Sequence, residues 1–235
     1  MGAVGRKIKY GYRQWVSNAV RPWMPTRRRL LLLNGIEVPM DISLIDAWLP
    51  YYKPPVPIEN NPGYEGDEVD AVRAYCNQGD RVVVIGGGLG VTTVVAARAV
   101  GPTGGVHVYE PIEEACAILE ATIRWNQCAD RVTVANAAVG RQRMSCFTHG
   151  SVASAPSVEC AALPDADVLE MDCEGEEEFI LSEMKMRPRV VLVETHDNHD
   201  RVVRILEARG YQIDRVKEGA PSETMTRTHI AALRV

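Results

Sequence analysis

The segment Val82–Gly90, which reads VVVIGGGLG, limits the possible folds more than any other part of this chain. Its β-branched residues predict a short strand over Arg81–Ile85, buried on both faces within a sheet. The small residues of Val91–Val100 predict a helix directly after it. Gly86, Gly88 and Gly90 allow a sharp strand-to-helix turn and a close backbone approach to a ligand, with no Cβ in the way. The same alternation continues downstream. Strands are expected at Gly105–Glu110, Arg131–Val139, Asp167–Asp172 and Arg189–Thr195, with helices over about 112–123, 174–184 and 200–209. Tyr211–Val216 and Thr228–Val235 follow with no helix between them and should pair as a hairpin. Strand–helix alternation closing on an antiparallel pair predicts a Rossmann-like α/β domain with a doubly wound, mostly parallel sheet. Ligands of such sheets bind at the carboxyl ends of the strands.

Glu110 stands 20 residues beyond Gly90, at the expected end of the second strand, where a carboxylate can accept hydrogen bonds from both hydroxyls of a ribose. A dinucleotide fingerprint begun at Gly86 would need glycine or alanine where this chain has Val91. A phosphate-binding loop would need a Gly-Lys-Ser/Thr that is not there. The remaining pattern, GxGxG, suits S-adenosylmethionine, which has no pyrophosphate to cradle. The lack of a Tyr-x-x-x-Lys pair also weighs against a nicotinamide-dependent reductase.

The charge is unevenly spread. Residues 1–36 contain eight Lys/Arg and no acid, leaving 18 basic and 31 acidic residues for the rest. Within the basic arm, Ile8, Tyr12, Trp15, Val16, Ala19 and Val20 recur at helical spacing and predict an amphipathic helix over 6–21, ended by Pro22 and Pro25. Such a helix either docks its tryptophans on the core or rests on an anionic membrane face. The acidic body argues against nucleic-acid binding. Leu30–Leu33, Asn34-Gly35 and Ile36–Val38 predict a hairpin with a tight turn. Five prolines in 50–63 predict a linker or lid. The expected organisation is an extension over 1–63 followed by a cofactor-binding domain over 64–235. Six scattered cysteines without metal-ligand spacing predict neither a disulfide framework nor a zinc site, and place the protein in a reducing cytoplasm. No apolar run approaches the length of a membrane span.

Several segments, in order, resemble the FkbM-type methyltransferases. They are Tyr64-Glu65, Val108-Tyr109-Glu110-Pro111, Asn136-Ala137-Ala138-Val139-Gly140, the segment Leu169–Glu177 (LEMDCEGEE), and Glu194-Thr195-His196. The resemblance implies the class I methyltransferase fold, with its seven-stranded sheet, and S-adenosylmethionine as cofactor. It also implies cofactor-binding roles for Gly86, Gly88, Gly90, Glu110, Ala138, Asp172 and Glu65, and catalytic roles for Asp172, Glu194 and His196. Two positions depart from the family pattern. Val84 replaces an aspartate that usually supports the methionine end of the cofactor, leaving its ammonium to Glu65 or a backbone carbonyl. Glu170 replaces a lysine on the acceptor side. The whole chain, including its N-terminal hairpin and the Tyr51–Pro57 stretch, looks like haloarchaeal members that modify surface-layer N-glycans, those that methylate hexuronic acids most of all. That similarity implies a carbohydrate or lipid-linked oligosaccharide substrate, a methyl ester product, and a cytoplasmic enzyme in peripheral contact with the membrane.

The two acceptor chemistries make different demands. A sugar hydroxyl needs a general base, for which His196 and Asp172 are the candidates. A carboxylate needs no base but does need a cationic clamp, which Arg27–Arg29, Lys53, Arg141 or Arg143 would supply. Asp172 has a structural alternative as a helix cap. Glu174, Glu176, Glu177 and Glu178 read mostly as a solvated first helical turn, with Glu174 alone among them a candidate site residue. Asp172, Asp197 and Asn198 only faintly suggest a metal triad, so no metal is expected. A non-catalytic cofactor-binding subunit stays open because of Val84 and Glu170.

Overall fold

The computed structural model describes residues 12, 15–43, 57–141, 155–173, 175–219 and 226–235. Strands β1 (Thr26–Leu33) and β2 (Ile36–Ser43) form the N-terminal hairpin, turning at Asn34-Gly35 with both residues at positive φ. Helix α1 (Gly66–Tyr75) precedes β3 (Arg81–Ile85), α2 (Val91–Val100), β4 (Gly105–Tyr109), α3 (Glu113–Trp125) and β5 (Val132–Ala135). After a short pair, β6 (Ala138–Val139) with β7 (Ser157–Val158), come β8 (Val168–Met171), α4 (Glu177–Glu183), β9 (Val190–His196) and α5 (His199–Ala208). The chain closes on β10 (Tyr211–Glu218) and β11 (Arg227–Arg234).

The seven-stranded sheet has the order β10-β11-β9-β8-β3-β4-β5, and only β11 runs antiparallel to its neighbours. This is the expected doubly wound sheet with its terminal hairpin. Alternation along the strands builds two cores. Val82, Val84, Leu192 and Ala231 face α1 and α2, while Val83, Leu169, Val191 and Ile230 face α4 and α5. The hairpin joins the first core through Leu31, Leu33, Ile36, Val38 and Met40. Trp125 Nε1 at the end of α3 donates to Glu37 Oε2 at 3.0 Å.

Four elements differ from expectation. Helix α1 is absent from the sequence reading, although Asp67 and Glu68 mark its first turn and Val69 and Val72 its buried face. The third core strand is shorter than 131–139. Ala137 N–H bonds to Ala135 O, a tight reversal that takes β6 out of the main sheet to pair with β7. Helix α4 starts at Glu177 rather than near 174, because Gly175 sits at φ +111° and blocks an earlier start. Asp172 therefore does not cap this helix. Residues 6–11, 13 and 14 of the expected N-terminal helix lie outside the described residues. Val16–Val20 forms a π-type turn and Arg21–Trp23 a 3₁₀ turn, and Trp15 and Trp23 are exposed rather than docked on the core.

Candidate functional site

The carboxyl ends of β3, β4, β8 and β9 converge on one edge of the sheet. Gly86, just past β3, donates its N–H to Tyr109 O at 2.9 Å, and Asp172 N–H bonds to Ile85 O at 3.0 Å. A Cβ at Gly86 would come 2.0 Å from Asp172 O, so only glycine lets these two ends meet. Gly88 and Gly90 also adopt positive φ, and α2 starts immediately after them.

Two carboxylates flank the glycine turn. Glu110 is 4% exposed, its Oε2 accepting from Gly88 N–H at 2.8 Å and its Oε1 from Ile112 N–H at 2.9 Å. Burial raises its pKa, against the pull of those two backbone donors. Each oxygen keeps a further lone pair for a hydroxyl donor. On the other side, Glu65 Oε2 accepts from Thr92 N–H at 3.2 Å and Thr92 Oγ1 at 2.7 Å, and Glu65 Oε1 would lie 3.6 Å from a Cβ at Gly88. Burial pushes the Glu65 carboxyl upward. Ala138 is buried in β6, its N–H bonded to Pro156 O, apart from these groups.

His196 is the centre of the second half of the site. Its Nδ1 is 2.8 Å from Glu177 Oε1, and its Nε2 lies 3.5 Å from Asp172 Oδ1 and 3.4 Å from Glu194 Oε1. Burial alone would lower the imidazole pKa. The bonds to Glu177 and Glu194 and the charge of Asp172 outweigh it and hold the ring protonated, with a pKa of about 10. Glu177 is the residue the sequence reading misplaced. It is fully buried, not part of a solvated turn, and it also accepts from Asn198 Nδ2 and Gly175 N–H. Its pKa is lowered because these bonds overcome the effect of burial. Glu174 lies outside the described residues. Glu176 and Glu178 are half-exposed, Glu178 in an ion pair with Arg201.

Strand register explains how so many acids gather here. Glu170 pairs with Val84 and Leu192, and Glu194 pairs with His229, all on the face covered by α1. The first turn of α1 adds Asp67 and Glu68 from above. Glu170 is 3% exposed, and its pKa is pushed well above the usual carboxylate range by burial and by Asp172, Glu68, Glu65 and Glu194. Of the expected clamp residues, Lys53 and Arg143 lie outside the described residues, Arg28 pairs with Asp41, and exposed Arg141 stacks over Phe179 at 3.7 Å.

A bound adenosine with a cationic tail fits this edge. The glycine turn leaves room for it, Glu110 offers two oxygens to a ribose, and carboxylates rather than Lys or Arg surround the turn. A pyrophosphate would meet repulsion there.

No family model matches the chain, and no curated protein matches it. Solved structures do share its fold. An O-methyltransferase from Thermotoga maritima that depends on S-adenosylmethionine is 20% identical, with a TM-score of 0.51 over 73% of this chain and 66% of its own. The tRNA methyltransferase of M. jannaschii is 10% identical, with a TM-score of 0.55 over 90% of this chain and 55% of its own. Trm5b from Pyrococcus abyssi is 14% identical, with a TM-score of 0.55 over 88% and 55%. The fold is that of the class I methyltransferases.

Proposed function

We propose that the protein is an S-adenosylmethionine-dependent methyltransferase that esterifies a carboxylate on a carbohydrate. The carrying observation is the acid-lined glycine turn between Glu65 and Glu110, which favours a cationic adenosine ligand over a phosphorylated one. When bound, the cofactor supplies an electrophilic methyl group on a sulfonium. Glu110 holds the ribose, the backbone of Gly86–Gly90 shapes the floor, and Glu65 takes the ammonium. Asp172 and His196 line the acceptor side.

The way His196 is held supports a carboxylate acceptor. Both ring nitrogens face carboxylates, so neither is placed to take a proton from a hydroxyl. A carboxylate acceptor is already ionised near neutrality and needs only alignment and shielding from water. Exposed Arg141 offers it a clamp. The resemblance in sequence adds the substrate class, a hexuronic acid of an N-linked surface glycan or its lipid-linked precursor. The acidic body, with 31 Asp/Glu in the chain, disfavours a nucleic-acid substrate. A second reading, methylation of a sugar hydroxyl with Asp172 as base, is supported by the 35% exposure of that side chain.

Product chemistry separates the two readings. Incubation with labelled cofactor and a hexuronate oligosaccharide is expected to yield alkali-labile methyl groups, at a rate that is flat from about pH 6 upward. Alkali-stable methyl groups, with a rate that climbs with pH, would establish the ether instead. Preference for NADH over S-adenosylmethionine would overturn the cofactor assignment.

A further inference from the structure

The acids beneath α1 exceed what the proposed methyl transfer uses. Glu68, Glu170, Glu194 and His229 line one small cavity of about 20 Å³, enough for a single ion or water. One oxygen each from Glu68 and Glu194 and one nitrogen of His229 lie within 4.8 Å of one another. His229 Nδ1 is 3.9 Å from Glu68 Oε1 and 3.6 Å from Glu194 Oε2, while its Nε2 faces Asp67 Oδ2 at 3.6 Å. Glu170 supplies an independent sign. It is buried, it lines the same cavity, and its Oε2 has no hydrogen-bond partner among the described residues. A buried carboxylate oxygen with no donor is costly unless a cation or a proton occupies the space before it.

We propose that this cavity is a divalent-cation site, with Glu68, Glu194 and His229 as ligands and the Glu170 oxygen turned toward the ion. One imidazole among carboxylates suits Mn²⁺, Fe²⁺ or Zn²⁺ better than Mg²⁺. His229 would bind through Nδ1 and donate Nε2–H toward Asp67, the usual arrangement in which a carboxylate orients a ligating histidine. Lys217 is engaged by Asp67, and Arg227 Nη1 takes the other oxygen of Glu194, at 3.2 Å. Arg215 also lines the cavity. The ion would fasten α1 to β8, β9 and β11, and so steady Glu65 over the glycine turn. Asp172, Glu194 and His196 form another group of this kind. There, Glu194 Oε1 already receives the Arg227 guanidinium, which makes it the poorer cation site.

The site is independent of the methyl-transfer reading and is tested without turnover. The full chain, stripped with a chelator, is titrated with Mn²⁺ by calorimetry and by electron paramagnetic resonance. One ion per chain is expected, with nitrogen hyperfine coupling from a single histidine. Glu68→Gln and His229→Asn should each weaken binding at least tenfold, while Glu183→Gln, on the exposed end of α4, should leave it unchanged. Absence of saturable Mn²⁺ or Zn²⁺ binding by the folded wild-type chain would overturn the proposal. So would a bound Mn²⁺ without nitrogen coupling, which needs no variant to fold. Loss of binding in Asp172→Asn with retention in Glu68→Gln would move the ion to the other group and also overturn it.

Discussion

Glu110 holds its place by accepting two backbone N–H groups, from Gly88 and Ile112, and so presents both oxygens in a fixed orientation. Glu110→Ala should remove a charge-assisted bond to the ribose. The loss is about 1.5–3 kcal/mol, or roughly 10- to 150-fold in affinity for S-adenosylmethionine by calorimetry. An unchanged affinity would remove the ribose assignment. Glu177 and Glu178 show how burial decides the worth of neighbouring, chemically identical residues. Glu177 is buried against His196 and Asn198, so Glu177→Ala leaves charged and polar groups without their partner and should cost about 3–5 kcal/mol in urea denaturation. Glu178 pairs with Arg201 at the surface, and Glu178→Ala should cost about 1 kcal/mol or less. Similar losses for the two variants would contradict the buried assignment.

At the level of elements, the glycine turn between β3 and α2 joins the fold to the site. Gly86 combines φ +98° with a 2.0 Å approach of any added Cβ to Asp172 O. Gly86→Ala should therefore cost about 2–4 kcal/mol and abolish cofactor binding. Gly175 has a positive φ but nothing within 4 Å, so Gly175→Ala should cost only about 1–2 kcal/mol. Equal melting temperatures for these two variants would show that contact with Asp172 is not what demands glycine at 86. Helix α1 is the other element that makes the site. Its first turn brings Asp67 and Glu68 onto a sheet face already holding Glu170 and Glu194. Burial, and then the neighbouring acids brought together this way, raise the carboxyl pKa values of Glu68 and Glu170.

Over the whole molecule, basic charge gathers in the N-terminal region and acidic charge in the body. Arg27, Arg28 and Arg29 are exposed on β1, beside half-exposed Leu30 and Leu32, and Trp23 is 86% exposed. Among the described residues, no helix is long and apolar enough to cross a membrane. Alternation puts Arg28, Leu30 and Leu32 on one face of β1, and the peripheral contact with an anionic bilayer that we propose would draw about 1 kcal/mol from each basic residue near the lipid. Removing residues 1–25 deletes Val16, which among the described residues forms a small cluster with Tyr12, Val20 and Met24 separate from the main core. The truncated protein should keep its cofactor affinity and lose salt-sensitive flotation with vesicles containing anionic lipid. Retained flotation, or failure to fold, would count against the membrane role.

Local signals in the chain determined the sheet, the turn and the flanks of the cofactor site. β-Branched runs, small-residue helices and Asn34-Gly35 act over a few residues, and so does the spacing from the glycines to Glu110. All of them were legible without coordinates. Only the tertiary structure decided which of the many acids are buried. Glu170, Glu177 and Glu194 sit in acidic or apolar segments that look alike in sequence. Strand register and the packing of α1 and α4 exclude water from them; burial raises the pKa of Glu170, while hydrogen bonds outweigh burial and lower those of Glu177 and Glu194. His196 was legible as a candidate. Its three carboxylate neighbours come from the end of β8, the start of α4 and its own strand, and only folding brings them together. Electrostatics at this edge depend on distances between residues far apart in the chain, which residue spacing does not encode.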